Sequence, residues 1–335
     1  MSSQHRILVV GVGSIGERHA RCFHETGRAE VSICELNADL RQQVTDRYGF
    51  SGSYGSLEEA LVNPPTAAVI CTPAQVHIPV AQQLADAGIH LLIEKPLSTS
   101  TAGISRLQET LSANRLHSAV AYTWRSNPIL RSFQQAIASG RFGKPLQVTM
   151  VSGQNFPFYR PAYRDIYYNS RATGGGAIQD ALTHMLNAVE WLVGPMTSVA
   201  ADAAHLKLEG VEVEDTVHVL ARHGDVLSSF SLNQFQGPNE SSLTVNCEEA
   251  TVRLEAHQSR WRWQAGTEDT WHDETFPPME RDTPYLAQAN LFLDQLEGKG
   301  KSLCTLAEGL QTLKVNLAVL QAADTHTWQT ISDFE

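Results

Sequence analysis

An apolar strand that runs straight into Gly11-Val12-Gly13-Ser14-Ile15-Gly16 constrains this chain more than any other feature of it. Residues 6–10 read as a short buried strand, and a helical pattern follows from Glu17 to about His24. Strand, glycine turn and helix in that order are the context in which Gly-x-Gly-x-x-Gly carries meaning. Gly11 permits the tight turn, Gly13 lets a pyrophosphate approach the backbone, and Gly16 lets helix and strand pack closely. The free N–H groups where the helix begins, around Ser14 and Ile15, are placed to hold phosphate charge. The next strand, 30–34, runs into Glu35, about twenty residues beyond the last glycine. A carboxylate there accepts hydrogen bonds from ribose hydroxyls and repels a 2′-phosphate, so NAD is the expected cofactor. Arg41 lies nearby and keeps NADP as the alternative.

The alternation continues. Asn37 is a suitable N-cap for a helix over 38–48, 67–71 is another buried strand, and a helix follows from about His77 to Ala87, closed by Gly88. Residues 89–93 then form an apolar strand that stops at Glu94-Lys95-Pro96. Pro96 has no N–H for a central ladder, so Glu94 and Lys95 fall at the strand's carboxyl end, where open α/β sheets bind ligands. Taken alone, that pair reads equally well as a solvated turn. A helix over 101–114 and a strand over 117–121 complete a βα series, which implies a doubly wound parallel sheet with right-handed crossovers.

After Tyr122 the pattern changes. A helix from Asn127-Pro128 to about Ser139 leads into strand-like stretches at 146–153, 197–209, 214–223, 226–236, 241–246 and 250–255. They describe an α+β domain on a largely antiparallel open sheet of six or so strands. The expected division is a Rossmann domain over 1–123 and a substrate-binding and oligomerisation domain over 124–335. One helix, 177–193, interrupts the strands behind Gly174-Gly175-Gly176, and a helix pair, 284–297 and 306–323, closes the chain. Asp180 and His184 sit four residues apart on one helical face, where a carboxylate can orient an imidazole and stabilise its charged form. An Asp/His pair in isolation is also an ordinary surface or core hydrogen bond. The segment 156–171 is rich in aromatics and arginine, including Tyr163, and could wall a substrate cleft or pack on a neighbouring subunit.

A net charge of −11 argues against nucleic acid or an anionic membrane as the main partner. Five scattered cysteines without Cys-x-x-Cys spacing suggest a reducing compartment, with neither a disulfide framework nor a zinc site. With no secretory signal or span of ~20 apolar residues in view, the cytoplasm is the expected location.

The combination of ILVVGVGSIGERHA, the segment Cys71-Thr72-Pro73 to His77, AGIHLLIEKPLS and GGGAIQDALTH resembles the Gfo/Idh/MocA family. These are sugar and cyclitol oxidoreductases named for glucose–fructose oxidoreductase and inositol dehydrogenase, and the resemblance covers nearly the whole chain. It implies that Lys95 is the active-site lysine, that Pro96 is often cis, and that Asp180 and His184 complete a polar triad beside the nicotinamide. It places Thr72, Pro73 and His77 on the loop that usually lines the cofactor, and Arg125 on the segment that leads from one domain into the other. Glu94 and Lys95 are expected at the cofactor with the glycine loop, and Arg125, Tyr163, Lys95, Asp180 and His184 at the substrate. Ala74 stands where many members have asparagine, Leu182 where glycine is common, and Asn187 where aspartate is frequent.

The reaction so implied moves a hydride between a sugar or cyclitol hydroxyl carbon and the nicotinamide. The hydroxyl proton passes to His184, with Lys95 bonded to the same oxygen and Asp180 holding the imidazole. A positive nicotinamide and partial burial would lower the lysine's pKa and keep Lys95 as the alternative proton acceptor. A free histidine titrates near ~6.5 and a free lysine near ~10.4, which makes the imidazole the easier base at neutral pH. An NAD-dependent glycosidase and a non-catalytic dinucleotide-binding regulator are the alternatives on the same fold. A homo-oligomer, dimer or tetramer, is expected through an uncovered sheet face.

Overall fold

The computed structural model describes residues 5–267 and 269–334. The chain divides into two compact units, one made of 1–126 with 280–310, the other of 127–279 with 311–335.

The first unit holds a parallel sheet of six strands: β1 (His5–Val10), β2 (Ala29–Cys34), β3 (Gly52–Tyr54), β4 (Ala67–Ile70), β5 (His90–Ile93) and β6 (Ser118–Val120). Their order is β3-β2-β1-β4-β5-β6, the doubly wound arrangement with its switch point between β1 and β4. The strands are buried on both faces because helices cover both, which is why they read as unbroken apolar runs. Asn37 caps the helix Ala38–Tyr48 as expected, its side chain accepting the Leu40 N–H at 3.0 Å. The expected division at 123/124 differs from this one in the closing segment. The helix Thr283–Leu296 packs Ala289, Phe292 and Leu293 into the core of the first unit, with Phe292 edge-on to Phe23 at 6.2 Å. Its apolar face matches that of the helix Ser14–Glu25, a partner no local signal announces.

The second unit carries nine strands: β7 (Pro145–Asn155), β8 (Ser198–Ala204), β9 (Thr216–His223), β10 (Val226–Asn233), β11 (Phe235–Cys247), β12 (Ala250–Glu255), β13 (Arg260–Ala265), β14 (His272–Thr275) and β15 (Gln329–Thr330). The order is β14-β13-β12-β11-β7-β10-β9-β8-β15, and among the described residues only the β7–β10 pair is parallel. One face buries alternate residues such as Val217, Val219, Phe230, Leu232, Val252 and Leu254. The expected strand 197–209 stops at Ala204. There the buried Asp215 carboxylate collects the N–H groups of Leu206, Lys207 and Leu208 at 3.0, 2.7 and 2.8 Å and folds the chain into a loop.

Two histidines make the fold sensitive to acid. His90 Nδ1 accepts the His117 N–H at 2.9 Å, and His223 donates from Nδ1 to the Gly194 carbonyl while Nε2 takes the Ser228 hydroxyl. The His90 arrangement needs a bare ring nitrogen, and at His223 burial favours the neutral ring. Burial lowers both pKa values, reinforced at His90 by the neighbouring His117. A histidine whose folded pKa is depressed contributes stability above its unfolded value, about 6.5, and loses it as pH falls through the folded value. The melting temperature should therefore fall between about pH 7 and pH 5, before carboxylates begin to protonate. His223→Gln should flatten that slope in a thermal melt series, and an unchanged slope would contradict the assignment.

Candidate active site

The parallel register brings most of the expected cofactor residues to one edge of the first sheet. Val10 pairs with Cys34 and with Ile70, and Ile70 with Ile93, so the glycine turn, Glu35, Thr72 and Glu94-Lys95 all leave the same carboxyl edge. Gly11 turns at φ +82°, where only glycine is at ease. Gly16 has no room for a side chain: a Cβ would sit on the Gly11 carbonyl oxygen. Around Gly13 the space is open, with nothing within 4 Å of a Cβ built there. No side chain caps the helix Ser14–Glu25, which leaves the first-turn N–H groups of Ser14 and Ile15 facing outward for an anion.

Glu35 is fixed from both sides. Its Oε2 accepts the Val12 N–H and its Oε1 the Asn37 N–H, each at 2.9 Å, while Arg41 donates to its carbonyl at 2.6 Å. The Arg41 guanidinium is thereby tied down beside the carboxylate. Glu35→Ala should narrow the preference for NAD over NADP by roughly tenfold or more in kcat/KM. An unchanged ratio would remove Glu35 from discrimination.

His77 is buried and joins the two remaining cofactor loops, with Nε2 2.7 Å from the Thr72 carbonyl and Nδ1 3.0 Å from that of Pro96. Burial lowers its pKa against the pull of both carbonyls. Pro73 directly precedes the turn Ala74–Val76, and the Lys95-Pro96 peptide bond is cis. Thr72 Oγ1 is buried without a hydrogen-bond partner among the described residues.

Three expected contacts fall elsewhere. Glu94 is 4% exposed and turns inward, where His19 Nε2 donates to it at 2.6 Å, so it supports the site from behind rather than meeting a cofactor. Arg125 is 1% exposed and is tied to Glu308 and, at 2.8 Å, to the Leu303 carbonyl. It closes the first unit instead of reading a substrate. Tyr163 packs in a core with Phe156 and Tyr168, and its hydroxyl donates to the Glu209 carbonyl at 2.6 Å. It braces the aromatic segment from beneath.

In the second unit the expected helix over 177–193 begins as a π-helical turn, Ile178–Leu182, before the α-helix Thr183–Val193. Such bulges insert an extra residue into one turn and recur at functional sites. Asp180 lies in that turn, and a partly exposed His184 lies in the first α turn. The glycine triplet makes the start possible. A Cβ on Gly175 would strike the Tyr168 carbonyl, and one on Gly176 would strike the Glu214 carboxylate. That carboxylate accepts the Ile178 N–H at 3.1 Å, a buried anion at a helix start, and pairs with Arg171 at 2.9 Å. At the other end, Asn187 donates to Thr312 at 2.9 Å, which donates to Glu190 at 2.7 Å, so the departure at 187 serves helix packing.

One contact at Asp180 has no sequence signal beyond the aromatic richness of its segment: the Tyr167 hydroxyl donates to Asp180 Oδ1 at 2.6 Å. Burial of the hydroxyl end and the adjacent Asp180 charge push this phenol well above its usual range. It stays protonated and a donor.

Residues 5–122 match the model of an oxidoreductase family with an NAD-binding Rossmann fold, and residues 130–253 match the GFO/IDH/MocA C-terminal domain. The chain belongs to the GFO/IDH/MocA oxidoreductase family. Levoglucosan dehydrogenase of Pseudarthrobacter phenanthrenivorans is 25% identical over 170 residues, 50% of this chain and 44% of that protein. An inositol 2-dehydrogenase of Corynebacterium glutamicum is 28% identical over 200 residues, 58% of this chain and 56% of that protein. The chain spans about half the length of these curated relatives. Among solved structures, the WlbA dehydrogenase from Bordetella pertussis, in complex with NADH and UDP-GlcNAcA, has a TM-score of 0.84 at 26% identity, covering 98% of each chain. A levoglucosan dehydrogenase structure shares the fold at a TM-score of 0.88 and 18% identity, over 98% of this chain and 100% of that one.

The first unit of this GFO/IDH/MocA member is therefore an NAD-binding domain, and its own residues fit that cofactor. The open space at Gly13, the uncapped helix start, the anchored Glu35 carboxylate and the orphaned Thr72 hydroxyl are places where pyrophosphate, ribose and a further polar group would be met.

Proposed function

We propose that this protein is an NAD-dependent dehydrogenase acting on a hydroxyl carbon of a sugar or cyclitol. The observation that carries this reading is Lys95 on the same sheet edge as the glycine turn and Glu35, in a chain that also keeps Asp180 and His184 at the start of one helix. Relatives that bear the names levoglucosan and inositol dehydrogenase support the substrate class.

NAD, when bound, supplies the hydride acceptor. The residues of the chain do the rest. Lys95 donates a hydrogen bond from Nζ to the reacting hydroxyl oxygen and steadies the charge that develops there. His184 takes the hydroxyl proton on a ring nitrogen. Asp180 stabilises the imidazolium so formed, and Tyr167 holds that carboxylate in place. Tyr167→Phe removes one hydrogen bond to a charged group, so kcat/KM should drop roughly tenfold or more with NAD affinity unchanged. Full activity in that variant would take Tyr167 out of the account.

A panel of polyols, aldoses, uronates and nucleotide sugars, followed by absorbance of the reduced cofactor, tests the reading. Turnover with one class supports it. Tight NAD binding with no turnover, or net hydrolysis without reduced cofactor, would overturn it.

We assign the protein to a homo-oligomer built on the open face of the second sheet. A groove of ≈ 350 Å³ crosses β7, β10, β9 and β8, lined by Thr149, Val151, Ala200, His218, Leu220 and Ser231. Leu220 and Leu227 are exposed on that face, which favours burial against a second copy. A monomer in sedimentation at assay concentration would end this assignment. No helix among the described residues is long and apolar enough to cross a membrane. The thiols of Cys22 and Cys34, pushed up to about 12 and about 11 by burial, suit the reducing cytoplasm, which cell fractionation would check.

A further inference from the structure

His19 and Glu94 form a buried pair that the proposed chemistry does not use. His19 lies on the helix that begins at the glycine turn, 1% exposed, and Glu94 follows β5, 4% exposed. Glu94 Oε1 accepts His19 Nε2–H at 2.6 Å, and Oε2 accepts the Lys95 backbone N–H at 2.9 Å. The Glu94 N–H in turn donates to the Ile70 carbonyl at 2.9 Å, so both carboxylate oxygens and the backbone N–H are held. The Tyr285 ring stands edge-on to the imidazole at 5.5 Å and shuts the pair from water, with the Arg18 guanidinium 5.0 Å above that ring. Removing an imidazole and a carboxylate from water is expensive, and apolar residues of similar volume would often stabilise a fold as well or better. The pair therefore asks for a reason beyond adhesion.

The connectivity supplies one. A single carboxylate bonds the nucleotide-holding helix on one side and the backbone of Lys95 on the other. Anything that sets the helix also sets the peptide from which the Lys95 side chain springs. We propose that His19 and Glu94 are positioning residues that fix the Lys95 backbone against the cofactor-binding helix, so that the amine is aimed only when that helix is in place. This inference rests on the reading of Lys95 as an active-site residue.

Two substitutions at one position separate positioning from adhesion. Gln can place an amide N–H where His19 Nε2–H lies, whereas Asn is one methylene too short to reach Glu94. In steady-state assays with the best substrate of the panel, His19→Gln should keep kcat within about threefold of wild type. His19→Asn should lose roughly ten- to hundredfold in kcat, the penalty for a misplaced reacting group. The KM for NAD should stay within about twofold in both. Glu94→Gln is the second probe, with the loss again in kcat. Equal kcat in the Gln and Asn variants, or a loss confined to the KM for NAD, would overturn the inference, and so would a lowered melting temperature with kcat intact. Lys95→Met is run beside them. If it retains turnover, the reading of Lys95 fails and takes this inference with it; if it is inactive while His19→Asn matches wild type, only the inference fails.

Discussion

Lys95→Met should lower kcat by roughly a thousandfold or more while leaving NAD affinity within about threefold. The two effects separate because the side chain and the strand do different things. The strand end is set by backbone bonds, with the Glu94 N–H on the Ile70 carbonyl and the Ala121 N–H on the Ile93 carbonyl, and none of these involves the lysine side chain. Methionine keeps the length and apolar stem of lysine and deletes only the charged donor. The glycine turn, Glu35 and Thr72 are untouched, so the cofactor surface persists. What goes is the hydrogen bond to the reacting oxygen, made strongest where charge develops in the transition state. Steady-state kinetics with a fluorescence titration of NAD would check both halves. A variant that kept a tenth or more of wild-type kcat, or that lost NAD binding, would remove Lys95 from the chemistry.

Gly16→Val should fail for an opposite reason. A Cβ at that position meets the Gly11 carbonyl, its carbon at 2.9 Å, with the Cys71 Cβ at 3.2 Å beyond, and backbone cannot swing aside as a side-chain tip can. The helix must move away from β1 and β4, which should cost about 2–3 kcal/mol of stability. It also carries Ser14 and Ile15 off the pyrophosphate, so NAD affinity should fall at least tenfold, about 1.4 kcal/mol. Gly13→Ala is the contrasting case. Its φ of −58° suits alanine and the space is empty, so the melting temperature should hold while NAD binding weakens. If both variants melted alike, the packing role of Gly16 would be wrong.

How much of this was written in the chain varies with how local each cause is. The parallel sheet was legible because its strands are buried on both faces and separated by local stops, such as the Asn37 cap and the positive-φ turn at Gly88. The glycine turn, Glu35 and Lys95 were legible because a parallel sheet delivers successive strand ends to one edge. β13 was missed because Arg260-Trp261-Arg262-Trp263 carries no β-branched residue; its Trp261 is buried against the helix Pro128–Ala138, with a bond to Ser132 at 3.1 Å. The place of the helix Thr283–Leu296 was missed because its packing partner lies about 270 residues away in sequence. Among site residues, composition misled where burial decides. Arg125 and Tyr163 have the right chemistry for a ligand and spend it on Glu308 and on Glu209. His19 gave no signal, and Tyr167 only the aromatic richness of its segment, because a bond to another buried side chain is marked by the contact alone.

The proposed chemistry requires that the Lys95 amine and the His184 imidazole serve one oxygen. The direct measurement is kcat for alcohol oxidation in Lys95→Met, His184→Ala and the double variant, at saturating NAD. Groups that act as a unit are strongly non-additive, so the double variant should be no slower than the worse single one within about threefold. Losses that multiply in the double variant would mean two independent contributions, and the shared-alcohol reading would be contradicted.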